Sequence, residues 1–157
     1  MDLGCGRGNY ALAAAELIGP SGTVYGIDAW AEGIVEMKKR ACERGLNNVE
    51  ALVAQVAEGI PLDDSTMDVC LMATVLHDFV EDGAGDIALR ETARILKPGG
   101  MLAIVEFKKV EGPPGPPLAI RLSEEEVEHL IDPFGFEIRQ ASEVGPHHYM
   151  IIAGTRT

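Results

Sequence analysis

Short runs of β-branched residues alternate with helical patterns along nearly the whole chain, and this alternation limits the fold more than any other feature of the sequence. After Met1-Asp2-Leu3 and a glycine cluster, Tyr10 to Ile18 reads as an alanine-rich helix closed by Gly19-Pro20. Thr23 to Ile27 reads as a strand ending at Asp28, and Ala31 to Arg44 as a helix with Ile34, Met37, Lys38 and Ala41 at helical spacing and Gly45 as its stop. Val49 to Val53 is a third strand and Val69 to Ala73 a fourth. Ile87 to Leu96 is a helix stopped by Lys97-Pro98-Gly99-Gly100, and Met101 to Phe107 is a fifth strand. Ser123-Glu124-Glu125-Glu126 is a capping box that opens a helix to about Ile131, and Phe136 to Val144 with Tyr149 to Ala153 reads as a closing hairpin. Parallel strands need a crossover long enough to carry a helix, so this rhythm predicts an α/β fold, a mostly parallel sheet with helices on both faces. The hairpin adds an antiparallel strand. Gly112-Pro113-Pro114-Gly115-Pro116-Pro117 is read as an exposed, stiff loop rather than an interdomain linker.

The chain has 157 residues, which suits one domain, and hydrophobic residues make up 46% of it, enough for a full core without staples. The net charge of −12 argues against nucleic acid and against an anionic membrane, because the summed field repels phosphate. The longest basic run is Lys38-Lys39-Arg40. Cys5, Cys42 and Cys70 are odd in number and widely spaced, with no CxxC and no zinc pattern, so no metal is expected and a reducing cytosol is the simplest compartment. No apolar run is long enough for a membrane span or a secretory signal.

The chemistry is concentrated at the loop Asp2-Leu3-Gly4-Cys5-Gly6-Arg7-Gly8, between the first strand and the first helix. Glycines there let the backbone turn sharply and approach a ligand closely. A dinucleotide fingerprint would place its third glycine at position 9, which is Asn9. Asp28, at the end of the second strand, stands where a carboxylate beside the crevice can accept both hydroxyls of a ribose. Asp2 can hold an ammonium group directly or through water, or it can cap the following helix. Two carboxylates and a tight loop suit a ligand with a ribose and a cationic amino-acid tail, and no pyrophosphate.

These motifs make the chain resemble a class I S-adenosylmethionine-dependent methyltransferase, similar to the small relatives of the ubiquinone/menaquinone-biosynthesis methyltransferases. The likeness covers Asp2 to Gly8, Tyr25-Gly26-Ile27-Asp28, the segment Ala57 to Asp68, the run Ala73-Thr74-Val75-Leu76-His77-Asp78, and Ile95 to Leu102. It implies one domain over residues 1–157, a Rossmann-like, doubly wound sheet of seven strands with the seventh antiparallel, and S-adenosyl-L-methionine as cofactor over the carboxyl ends of strands one, two and four. By the same resemblance Asp2, Gly4, Cys5, Gly6, Asp28 and Ala29 bind the cofactor, with Asp28 as the ribose acid. Val56, Ala57 and Ala73 complete the set. Where the family carries an acid for the adenine amino group, this chain has Val56, leaving the backbone of Val56 and Ala57, or the side chain of Gln55, to take that contact. Relatives have a longer first strand and a helix or two before it, so a trimmed sequence or a late-placed start, with strand one shortened, is expected.

His77, Glu106 and His147 all fall at the carboxyl edge of the predicted sheet and are the candidate catalytic residues. His77 could take a proton from a hydroxyl, an amine or a carbon acid, or it could hold the turn by bonding a loop carbonyl. Period-two alternation places His147 with Tyr149 on one face and His148 on the other, so His147 and His148 diverge and do not form a metal site. Cys5 is expected to fill a variable loop position without a reactive role. The favoured function is methyl transfer to a small-molecule acceptor by a cytoplasmic enzyme, with room for a homo-oligomer. Two alternatives differ in class: a silent cofactor-binding subunit that needs a partner chain, and a nicotinamide-dependent oxidoreductase, which would want Gly at position 9 and no Asp at position 2.

Overall fold

A computed structural model describes residues 1–156 of the chain. It divides into two compact units, Met1–Pro61 and Leu62–Thr157. The first holds β1 (Asp2–Leu3), α1 (Asn9–Ile18), β2 (Val24–Asp28), α2 (Ala31–Glu43) and β3 (Val49–Val53), followed by a 3-10 turn at Val56–Glu58. Its three strands are all parallel in the order β3-β2-β1, with Leu3 opposite Ile27 and Asp28 opposite Val53. The core of this unit is a cluster of Leu12, Ala15, Val24, Ile34, Met37, Ala41 and Ala51 with Cys5. Met37 is fully buried and holds the glycine loop close to α2: a Cβ on Gly8 would come within 2.4 Å of its side chain. Gly8 also has φ 76, a left-handed conformation that a residue with a Cβ adopts at a cost, so both its backbone and its surroundings require glycine.

The second unit holds β4 (Met67–Ala73), α3 (Leu76–Glu81), α4 (Gly85–Ile95), β5 (Leu96–Phe107), α5 (Glu124–Ile131), β6 (Phe136–Val144) and β7 (His148–Thr155). The order is β4-β5-β7-β6, with β4 and β5 parallel and β7 antiparallel to both of its neighbours. The strands are thus those of the expected seven-stranded, mostly parallel sheet with its seventh strand reversed. Met72, Leu102, Ile104, Phe136, Ile151 and Ala153 are buried on these strands, and Leu76, Leu89 and Ile95 on the helices. Each such apolar side chain contributes about 1.5–3 kcal/mol by leaving water. The capping box is present as the sequence predicts, Ser123 Oγ accepting the Glu126 N–H and Glu126 Oε2 accepting the Ser123 N–H.

One helix is added and two local readings change. The run after β4, left without an element in the sequence, is helical: Thr74 has φ 54, at the end of the strand, and Leu76 opens α3. Six residues are too few for helical spacing to show in a sequence. Leu96 belongs to β5 rather than to the preceding helix, because it pairs with Met67 before the register jumps to Val69 opposite Met101. The segment Lys97–Gly100 is therefore a bulge facing Asp68, whose carboxylate takes the Lys97 ammonium at 2.7 Å. Finally, the hairpin turn takes in His147, which is exposed, so the strand alternation begins only at His148 and His147 does not share a strand face with Tyr149.

Candidate functional site

In the first unit the glycine loop is tied to the end of β2. Asp28 Oδ2 accepts the Gly6 N–H at 2.7 Å and Oδ1 accepts the Trp30 N–H at 2.8 Å. Gly4 and Cys5 both donate their N–H to Ile27 O, at 2.8 and 3.1 Å. The loop thus sits directly on the carboxyl end of β2, and each Asp28 oxygen keeps a free lone pair. Gly6 has φ 53, and a Cβ there would meet nothing within 4 Å, so its backbone faces open space next to Asp28. Arg40 Nη1 braces the loop from outside, donating to Arg7 O and Asn9 Oδ1 at 2.8 Å each, and the Arg7 guanidinium lies over the Trp30 ring at 5.3 Å.

Asp2 is buried at 3% exposure and accepts the Ala11 N–H at 3.1 Å, so it does cap the start of α1. Burial pushes its carboxyl up to about 6, and neighbouring Asp28 adds to the rise. Cys5 is buried with Sγ 3.8 Å from Met37 Sδ, and burial, helped by Asp2 and Asp28, pushes its thiol up to about 12. A thiol that stays protonated is not a nucleophile. Val56 is half-buried and Ala57 and Gln55 are exposed, all at the 3-10 turn after β3; Ala29 is exposed beside Asp28.

In the second unit the structure brings two of the three candidate catalytic residues together. Glu106 is fully buried near the end of β5 and His77 is buried in the first turn of α3. His77 Nδ1 lies 2.8 Å from Glu106 Oε2, and the His77 N–H donates to Glu106 Oε1 at 3.1 Å. Asp78 Oδ1 stands 3.4 Å from His77 Nε2. Burial is the largest influence on His77 and lowers its proton affinity, but Glu106, by hydrogen bond and charge, and Asp78 outweigh it, and the net direction is up. His147 does not join them; its carbonyl accepts the Lys108 N–H at 2.8 Å and its side chain is exposed in the turn. Ala73 is buried as the last residue of β4.

Residues 1–144 match the family model described as a methyltransferase domain. A solved structure titled as a SAM-dependent methyltransferase from Aquifex aeolicus superposes with a TM-score of 0.90 at 33% identity, covering 99% of this chain and 80% of that one. The chain belongs to the class I S-adenosylmethionine-dependent methyltransferases. Among curated relatives of this chain, the ubiquinone/menaquinone biosynthesis C-methyltransferase UbiE of Cellvibrio japonicus is 33% identical over 109 residues, 69% of this chain and 43% of that protein. Aklanonic acid methyltransferase DauC of Streptomyces sp. strain C5 is 39% identical over 103 residues, 66% of this chain and 45% of that protein. The chain thus spans less than half the length of these relatives.

The donor set of the first unit fits the family's cofactor. Asp28 offers free lone pairs for hydroxyls, Gly6 leaves backbone open beside it, and Asp2 is a buried carboxylate whose charge an ammonium group would compensate. Sequence reasoning missed one residue of note, Arg121, buried between Ile120 and Leu122. Its signal was present but indirect: a proline-rich stretch has more carbonyls than N–H groups, and arginine has five donors and no acceptor.

Proposed function

We propose that this chain methylates a small-molecule acceptor that gives up a proton as it reacts, a hydroxyl or a carbon acid, using S-adenosyl-L-methionine. When bound, the cofactor supplies a methyl group already activated on a sulfonium, so that a bond from the acceptor atom to the methyl carbon forms as the carbon–sulfur bond breaks and its electron pair returns to sulfur. The protein's task is alignment and proton removal. Asp28 holds the ribose hydroxyls and Ala29 adjoins it. The backbone of Gly4, Cys5 and Gly6 and the carboxylate of Asp2 hold the amino-acid end. Val56 and Ala57 complete the cofactor contacts of this unit.

The observation that carries the acceptor reading is the buried His77–Glu106 pair. With Nδ1–H donated to Glu106, the Nε2 lone pair of His77 is free to take the acceptor's proton, and the imidazolium that forms is met by Glu106 at 2.8 Å and Asp78 at 3.4 Å. The three free cysteines support a cytoplasmic setting.

Calorimetric titration with S-adenosylhomocysteine, with NAD as control, tests the cofactor half. Micromolar binding of the first alone is expected; binding of NAD alone would overturn it. Labelled methyl transfer to a panel of phenols, carboxylic acids and β-dicarbonyl compounds tests the acceptor half. Turnover that survives His77→Gln unchanged would remove the proton-acceptor role, and tight binding with no turnover on any acceptor would favour a silent cofactor-binding subunit.

A further inference from the structure

Arg121 is 4% exposed, and none of its five N–H donors goes to a carboxylate. Nε donates to Pro116 O at 2.9 Å. Nη1 donates to Lys108 O and Val110 O at 3.2 and 2.6 Å, and Nη2 to Gly112 O and Pro114 O at 2.7 and 3.0 Å. Every donor is thus spent on a backbone carbonyl of the segment that follows β5. That segment contains Pro113, Pro114, Pro116 and Pro117, which bring carbonyls but no N–H groups, so it cannot satisfy itself by turns. The guanidinium is the complement it needs. Its place is fixed from the other side as well, because the next residue, Leu122, is buried and its carbonyl takes the Tyr149 hydroxyl at 2.7 Å.

The same guanidinium stands over the Phe107 ring at 5.8 Å. Phe107 in turn meets His77 edge-on, ring centroids 6.1 Å apart at 73°, and packs on His148 at 4.4 Å. Gly115 closes on the ring so tightly that a Cβ there would come within 2.6 Å of it. The proline-rich segment, Phe107 and His77 therefore form one packed stack, with a buried cation at its centre. We propose that Arg121 is a positioning residue for methyl transfer: it folds Lys108–Pro116 into a fixed wall against Phe107, and through that stack and its own charge it sets the environment of His77. The proposal rests on the reading of His77 as proton acceptor. The charged groups acting on His77 are Glu106 and Asp78, which favour its protonated form, and Arg121, which opposes it. Without Arg121 the balance on His77 would tip further toward its protonated form.

The test needs no acceptor. The full chain is compared with Arg121→Met, which keeps an unbranched stem without charge, and Arg121→Lys, which keeps the charge without the fork. Two readouts are followed: tryptic cleavage after Lys108 and Lys109, and the NMR titration of the His77 ring, assigned by its loss in His77→Gln. Both Arg121 variants are expected to lose tryptic protection of the segment. In Arg121→Met the His77 titration moves up by roughly half a pH unit, while in Arg121→Lys it stays near the wild-type value. A His77 titration unmoved in Arg121→Met, whether or not the segment opens, would overturn the proposal and leave Arg121 a loop anchor. If Arg121→Met does not fold, Arg121→Lys decides: protection kept in it would overturn the proposal. Failure of the methyltransferase reading shows separately, as no binding of S-adenosylhomocysteine by the wild-type chain.

Discussion

Asp28 and Gly6 are joined by a 2.7 Å hydrogen bond from the loop N–H to the carboxylate at the end of β2. One residue thereby shapes the glycine loop and presents acceptors beside it. The two tasks use different lone pairs of the same group, so substitutions at Asp28 separate by how much of each they keep.

Asp28→Asn retains an oxygen for a backbone N–H but loses the charge, and Asp28→Ala loses both. A hydrogen bond to a charged group is worth about 1.5–3 kcal/mol, so the alanine variant should bind S-adenosylhomocysteine roughly 10–100-fold more weakly, with asparagine between it and wild type. Calorimetry measures this directly. Equal affinity for all three proteins would show that the ribose is held elsewhere.

The proposed placement of the cofactor's ammonium at Asp2 predicts a pH-dependent affinity. Its carboxyl titrates near 6, so above that value it meets the cofactor's ammonium as a charge, and below it the attraction fades. Affinity for S-adenosylhomocysteine should fall between pH 7 and 5 in the wild type and stay flat over that range in Asp2→Asn. Stability of the free chain runs the other way. A carboxyl raised from 3.8 to about 6 contributes stability that is full below 3.8 and lost as pH rises through 6. The difference in unfolding free energy between wild type and Asp2→Asn should therefore shift by about 2 kcal/mol between pH 4 and pH 8, read from urea titrations.

The His77–Glu106 pair predicts both rate and stability. His77→Gln should lower kcat about 10²–10⁴-fold on a hydroxyl or carbon acid while leaving the affinity for S-adenosylhomocysteine near wild type. Because the proton affinity of His77 is raised, activity should rise only above the ordinary histidine range, and Glu106→Gln should move that rise to lower pH. The stabilising effect of the raised histidine is complete below its unfolded value near 6.5 and disappears as pH climbs through the folded one. A pH–rate profile identical in wild type and Glu106→Gln would separate the two residues functionally.

Ser123→Ala removes one half of a reciprocal cap. It should cost about 1 kcal/mol in urea unfolding without changing cofactor affinity, since the bond lost lies between Ser123 and Glu126 at the start of α5. A change in affinity would tie α5 to the cofactor site.

What the sequence revealed, and what it hid, follows from the range of the interactions involved. The glycine loop, Asp28 and the Ser123 cap are local patterns in which a residue's role depends on near neighbours along the chain, and they are where the sequence placed them. Lys97–Gly100 was readable as a turn but not as a bulge, because a bulge is defined by the partner strand and not by the strand itself. His77 and Glu106 are 29 residues apart, and only the pairing of α3 with the end of β5 turns two isolated polar residues into a pair. Arg121 was hidden for the same reason, since its partners are carbonyls, which every residue has. His147 was placed by carrying strand alternation one residue too far into a turn.

Trp30 is the only tryptophan in the chain, and it is bonded through its backbone to Asp28 while its ring lies under the Arg7 guanidinium of the glycine loop. The protein therefore carries a single tryptophan, placed between β2 and α2 beside the loop where ligand is expected. Tryptophan emission therefore reports the start of α2 and the neighbouring glycine loop, so ligand engagement can be followed optically in real time, without a label and before an acceptor is known.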